Sequence, residues 1–223
     1  MKKEKLTVTI SGPAASGKGT LARMLACKLN AVYIDAGWIF RYAAYCLREG
    51  RIKNPIHLLK RDHCRDWQYV WDGQDRFIIH DGRCLDKELM DSGLALFTAQ
   101  LASNEHLFAG MACLVNKIVS HYSRLTIDGR SAGTVFCPDA EVKFYLTAPE
   151  GVRAERRRRD LLRAGYATSY DDVLGDIRLR DKIDSERLYD PLRIPTGAVV
   201  MDSGLATGPE EMLLRMVEFI KTR

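Results

Sequence analysis

The chain has 223 residues, 46% of them hydrophobic and 28% charged, with a formal net charge of +5. That length suits one sizeable α/β core or a core carrying an inserted lobe, and the composition excludes wholesale disorder. No apolar run approaches the roughly 20 residues of a membrane span, and "MKKEKL" leads straight into a strand rather than a signal sequence, so a cytoplasmic protein without a membrane partner is expected.

In chain order, residues 6–11 ("LTVTIS") read as a buried strand, and Leu21, Met24, Leu25 and Leu29 fall on one face of the helix that follows. "AVYID" (31–35) predicts a second strand, leading into a helix over 38–48. The character then changes. "WQYVWDGQDRFIIHDGRCL" (67–85) holds two turn signals, Asp72-Gly73 and Asp81-Gly82, between β-rich runs, which predicts a small antiparallel hairpin or meander. Helices over about 92–103 and 105–121 follow, and "RLTIDGR" (124–130) and "EVKFYLTA" (141–148) restore the strand pattern. Helix formers occupy 150–163 and 170–183, "GAVVMDS" (197–203) reads as a last core strand, and 208–221 as a closing helix. Alternation of this kind predicts an α/β fold, a five-stranded parallel sheet with helices on both faces and a β-containing insert.

Six cysteines (27, 46, 64, 84, 113 and 137) form no C-x-x-C pair, and several lie in apolar stretches, so reduced thiols are expected. His63-Cys64 is the one adjacent His/Cys pair, and no structural metal is assigned to it. The basic run "VRAERRRRDLLR" (152–163) suits a phosphorylated partner or a solvated helix face. Aromatic residues are not interleaved with it, so a stacking platform for nucleic acid is not expected.

The strongest local signal is "ISGPAASGKGT". Gly12, Gly17 and Lys18 satisfy G-x-x-x-x-G-K between a strand and a helix, with the hydroxyl that usually follows the lysine displaced by one, to Gly19 and then Thr20. Glycines let the backbone bend and approach phosphate oxygens closely. The helix N-terminus and the lysine supply positive charge. An N-K-x-D base-reading motif of guanine-binding proteins is absent. Asp35 closes the second strand, and Arg41 follows one to two helical turns later, where a cation could meet the phosphate of an acceptor.

With these segments in hand, the sequence resembles the cytidylate kinase family, of the bacterial type with a long acceptor-lobe insert. "ISGPAASGKGTLA", "YIDAGWIFR", "IDGRSAGTVFCPDAEVKFYLTA", "RAERRRRDL", "IRLRDKIDSERLYDPL" and "VVMDSG" carry the resemblance, in order, across nearly the whole chain. It implies a single P-loop kinase domain. The core is expected over about 1–37, 122–150 and 195–223, the acceptor-binding insert over 38–121 and a helical lid over 151–194. It implies ATP and Mg²⁺ as cofactors, a small phosphorylated acceptor as partner, and a monomer.

Phosphoryl transfer depends chiefly on positioning and on neutralising charge. By resemblance, Gly12, Ala15, Ser16, Gly17, Lys18, Gly19 and Thr20 hold ATP, joined by Arg157 or Arg158. Asp128, with Thr20, organises Mg²⁺ directly or through water. Lys18, Asp128, Arg130, Arg180 and Arg187 form the catalytic set, and Asp184 takes the ribose-reading position. Arg180, Asp184 and Arg187 share one helical face.

The departures cluster at the acceptor. Asp35-Ala36-Gly37 stands where the family has D-[ST]-G, Trp38 where a small residue is usual, and Ser131 where "GRD" gives a carboxylate. Aligned without gaps, the family's Ser and, nine residues on, its Arg become Ala99 and Phe108, and its Ile-Arg-Thr becomes Leu89-Met90-Asp91. Ser, Arg and Asp at those places are the family's cytosine readers. Losing one neutral and two charged hydrogen bonds amounts to roughly 3–7 kcal/mol, several decades of affinity. Asp35, Gly37, Trp38, Arg41, Ala99, Phe108, Arg130, Ser131 and Asp184 are thus the expected acceptor site, with Trp38 and Phe108 making it flatter and more apolar.

Three readings stay open. One is a nucleoside monophosphate kinase with CMP or dCMP as nominal acceptor and altered base preference. The second is a kinase for a modified nucleotide or another specialised small molecule. The third is a nucleotide-binding sensor without turnover, against which the intact Lys18, Asp128, Arg130, Arg180 and Arg187 argue.

Overall fold

The computed structural model describes residues 5–59 and 67–222, so the His63-Cys64 pair lies outside the described residues. Five strands, β1 (Leu6–Ser11), β2 (Val32–Asp35), β6 (Arg124–Asp128), β7 (Val142–Thr147) and β8 (Val199–Asp202), pair in parallel in the order β2-β6-β1-β7-β8. Alternation along each strand sends side chains to two separate apolar layers. Ile34, Leu125 and Ile127 join the layer beneath α2 (Ala36–Arg48) and α5 (Glu105–Val119). Tyr33, Val8, Ile10 and Phe144 join the layer under α1 (Lys18–Leu29) and α8 (Pro209–Lys221). The doubly covered parallel sheet expected from the sequence is the one observed.

Between β2 and β6 the β-rich run folds as a three-stranded antiparallel sheet, β3 (Trp67–Trp71), β4 (Arg76–His80) and β5 (Arg83–Cys84). It docks on the core at several points. Tyr69 Oη lies 2.8 Å from the Asp35 amide and 3.1 Å from the Tyr33 carbonyl, and Trp71 packs edge-on to Tyr33. Arg23 of α1 pairs with Asp75 in the hairpin turn. A short helix α3 (Asp86–Leu89), α4 (Ser92–Ala102) and α5 complete the segment. The remaining helices, α6 (Glu150–Arg163) and α7 (Tyr170–Glu186), pack together between β7 and β8.

Two helix boundaries differ from those expected, the first for a capping reason. Helix α2 starts at Ala36, two residues before the expected start, because an Asp35 carboxylate oxygen accepts from the Trp38 amide at 2.9 Å. Helix α7 starts at the expected Tyr170, capped by the Ser169 hydroxyl that accepts from the Asp172 amide, and runs three residues beyond the expected 183, to Glu186. No helix among the described residues is long and apolar enough to cross a membrane.

Candidate active site

At the carboxyl end of β1 the chain bends through Gly12, whose φ is +143°. A Cβ there would sit 2.1 Å from the Leu146 carbonyl oxygen, so only glycine fits between β1 and β7. Ala15 (φ 55°) and Gly17 (φ 91°) turn the loop further, and α1 begins at Lys18. Outside the loop, buried Arg153 of α6 donates to the Ala14 carbonyl at 3.0 Å and to Asp181 of α7 at 2.5 Å, while the other Asp181 oxygen accepts from the Ala14 amide at 3.0 Å. The Ser203 hydroxyl donates to the Ser16 carbonyl at 2.9 Å, and Arg156 in turn donates to Ser203. The bend is therefore braced from three elements.

Lys18 is buried and donates to the Pro13 carbonyl at 2.5 Å. Burial, and then the nearby Arg130 charge, lower its ammonium pKa well below the usual lysine range. Asp35 and Asp128 are register partners at the ends of β2 and β6. Burial, and then the Asp35 charge, raise the Asp128 carboxyl, which accepts from the Tyr33 hydroxyl at 2.8 Å. A Cβ on Gly19 would approach that hydroxyl to 3.2 Å, a tight contact from which the phenol would have to shift slightly.

The loop, the carboxylates and the arginines of α6 and α7 face one cleft of about 740 Å³. Ala15 to Thr20, Asp35, Gly37, Trp38, Arg41, Ala99, Asp128, Arg130, Ser131, Arg157, Arg180, Asp184 and Arg187 all line it, so most of the expected site residues meet in space. Arg130 pairs with Asp184 at 2.9 Å. Arg187 donates to the Ser131 hydroxyl at 2.9 Å and lies near Asp184 and Asp190. Arg41 donates to the Leu89 carbonyl at 2.7 Å, and Arg180 Nε is buried without a partner. Burial is the first cause that pushes Arg41 down to about 9 and Arg180 to about 10; neighbouring arginines are the next. A cluster of cations this short of counter-charge favours an anion between them.

Three expectations change. Phe108 does not reach the cleft: it is fully buried, packed edge-on to Phe40 and Tyr189, because Phe108, Met111, Ala112 and Val115 form the core stripe of α5. Arg158 is turned out of the cleft toward Glu155, 3.5 Å away, with Arg156 and Arg157 facing inward instead. Trp38 reaches the cleft, but the Arg76 guanidinium lies 3.9 Å from its ring centre and its indole nitrogen donates to Asp86 at 3.2 Å. That face is not open for stacking. Sequence reasoning missed Arg76, which also pairs with Asp35 at 3.1 Å, and the bracing residues Arg153, Asp181 and Ser203. For Arg153 the signal was present as helical phase, three and four residues before Arg156 and Arg157.

A parallel sheet in this strand order, with a glycine-rich loop at the carboxyl end of its central strand and an arginine-lined cleft, defines a P-loop kinase. The cytidylate kinase family profile matches residues 8–222. The cytidylate kinase of Thermosipho africanus is 33% identical over 213 residues, covering 96% of this chain and 93% of the relative. That of Carboxydothermus hydrogenoformans is 32% identical over 221 residues, covering 96% and 97%. Among solved structures, shikimate kinase from Bacteroides thetaiotaomicron superposes with a TM-score of 0.50 at 13% identity, over 97% of this chain and 98% of that one, and shares the fold. This chain belongs to the cytidylate kinase family.

Proposed function

We propose that the protein transfers the terminal phosphoryl group of ATP to a nucleoside monophosphate whose base is not read in the family's usual way. The observation that carries this is Arg180 Nε, buried and unpartnered among Arg41, Arg130 and Lys18, where a phosphate would supply the missing acceptor. Lys18 and the loop amides bind and neutralise the donor phosphates, Arg41 and Arg130 hold the acceptor phosphate, and Arg180 and Arg187 stabilise the charge that spreads during transfer. Asp184 faces the ribose.

The donor set suits Mg²⁺. It is a hard cation that takes one or two carboxylates plus substrate phosphates, and among the described residues no group of three or more His, Cys, Asp or Glu converges as a separate metal cage. Asp128 and the Thr20 hydroxyl, both on the cleft wall, would hold it directly or through water. When bound, the ion neutralises phosphate charge. Altered base recognition rests on Ala99 and Ser131, which stand on the cleft wall without a carboxylate or guanidinium of their own. A soluble cytoplasmic monomer acting on a small molecule is the setting this reading implies.

The test is ADP release from purified protein with ATP and Mg²⁺ against ribo- and deoxynucleoside monophosphates and CMP analogues. Transfer to at least one monophosphate is expected. Lys18→Ala should reduce it by about 10²–10³-fold or more, with the unfolding midpoint kept, because a buried strained charge is removed. Nucleotide binding with no transfer to any acceptor would replace this reading with the sensor.

A further inference from the structure

The acceptor half of the cleft is walled by Phe40, Ala95, Ala99, Ala102 and Phe136, with few polar groups among them. Its carboxylates are already committed. Asp184 is buried against Arg130 at 2.9 Å and Arg187 at 4.0 Å. Asp35 caps α2 and pairs with Arg76. Thr98, also on this wall, spends its proton on the Leu94 carbonyl at 2.6 Å and keeps only neutral lone pairs.

Ser131 differs from all of these. Its hydroxyl oxygen accepts from Arg187 at 2.9 Å, it is buried on the cleft wall, and no hydrogen bond among the described residues uses its own proton. A ligand meeting this wall therefore finds one free hydroxyl donor beside the Arg187 guanidinium, while Asp35 and Asp184 are both committed. An exocyclic ring amine would point partial positive charge at cations and find no anionic acceptor. A ring carbonyl would receive the serine proton and gain from the same cations. The N–H between two such carbonyls has the Thr98 lone pairs available.

We propose that this wall selects a pyrimidine monophosphate by its carbonyl oxygens, taking a uridylate-type 2,4-dioxopyrimidine in preference to cytidylate, with Ser131 as the discriminating residue. The inference rests on the kinase reading above and names the acceptor of that same cleft.

Two measurements test it: calorimetric binding of UMP and CMP to the wild-type protein, and kcat/KM for each with ATP and Mg²⁺. UMP should bind and react about tenfold or more better than CMP, the scale of one unsatisfied polar group. Ser131→Asp supplies an anionic acceptor and should invert the ratio toward CMP. Ser131→Ala should bring it toward unity. CMP equal to or better than UMP in the wild-type protein, with transfer observed, overturns this inference and leaves the kinase standing. A ratio unmoved in both Ser131 variants likewise removes Ser131 as the reader. Absence of transfer to every monophosphate overturns the kinase reading and the inference with it.

Discussion

Gly12 makes the first bend of the phosphate loop. Its positive φ would strain any side chain, and the Leu146 carbonyl, a backbone atom that cannot rotate away, occupies the space a Cβ needs. Gly12→Ala should therefore cost about 2–4 kcal/mol, lowering the midpoint of thermal unfolding by roughly 5–15 °C. Gly73→Ala is the matched control. Its φ is +97°, but nothing lies within 4 Å of the added atom, so only the left-handed strain of about 1 kcal/mol remains. Equal losses in the two variants would mean that the contact with β7 is not what demands glycine. At this scale the sequence was most informative, since Gly12, Gly17 and Lys18 announce the bend by type and spacing alone. It was least informative at Phe108. Counterpart alignment put that residue on the acceptor wall, whereas the helical stripe with Met111 and Val115 puts it in the core. Periodicity was the better guide there.

Between elements, α6 and α7 are tied to the loop through the Arg153–Asp181 ion pair. Arg153 of α6 reaches the carbonyls of Ala148 and Ala14 as well as Asp181 of α7, and Asp181 returns a hydrogen bond from the Ala14 amide. Removing either partner leaves the other short of counter-charge. A full buried pair would lose about 3–5 kcal/mol, and the 21% exposure of the Asp181 side chain lowers the expectation to about 2–3 kcal/mol for Arg153→Met or Asp181→Asn. The double variant should lose less than the sum, with a coupling of about 1–3 kcal/mol in denaturant unfolding. ATP binding should weaken in all three, because the Ala14 peptide loses its brace. Additivity within about 0.5 kcal/mol would show that the pair does not act as a unit. Element order and strand direction were legible from alternating periodicities, and so was the basic helix. Helical phase in "RAERRRR" puts Arg153 on one face with Arg156 and Arg157, but that this face turns inward shows only in the packing against Ala14 and Ser203.

For the molecule as a whole, charge is distributed unevenly. The chain carries a net +5, yet eleven cationic side chains and only four carboxylates line the cleft, so the rest of the surface is close to neutral or slightly acidic. Folding assembles this excess of positive charge. Lowered pKa values for Lys18, Arg41 and Arg180 are the mark of that burden, since each reflects a charged form disfavoured by burial and by neighbouring cations. At pH 7 Arg41, lowered to about 9, and Arg180, lowered to about 10, are still charged and carry that cost, so an anion that enters the cleft relieves it and stabilises the folded form. Linkage then requires stabilisation of about 2.7 kcal/mol at a ligand concentration one hundred times Kd. For a chain of this size that is a rise of roughly 5–10 °C in the unfolding midpoint. Tripolyphosphate and UMP should each produce it at pH 7, whereas sodium chloride at matched ionic strength should not, because screening cannot substitute for a hydrogen-bonded counter-charge at Arg180 Nε. Tripolyphosphate should lose much of its effect in Lys18→Ala, while UMP should retain most of its own, if the two ligands engage opposite halves of the cleft as the proposed function requires. A chloride response equal to that of tripolyphosphate would reduce the cluster to diffuse repulsion and remove the case for a built phosphate site.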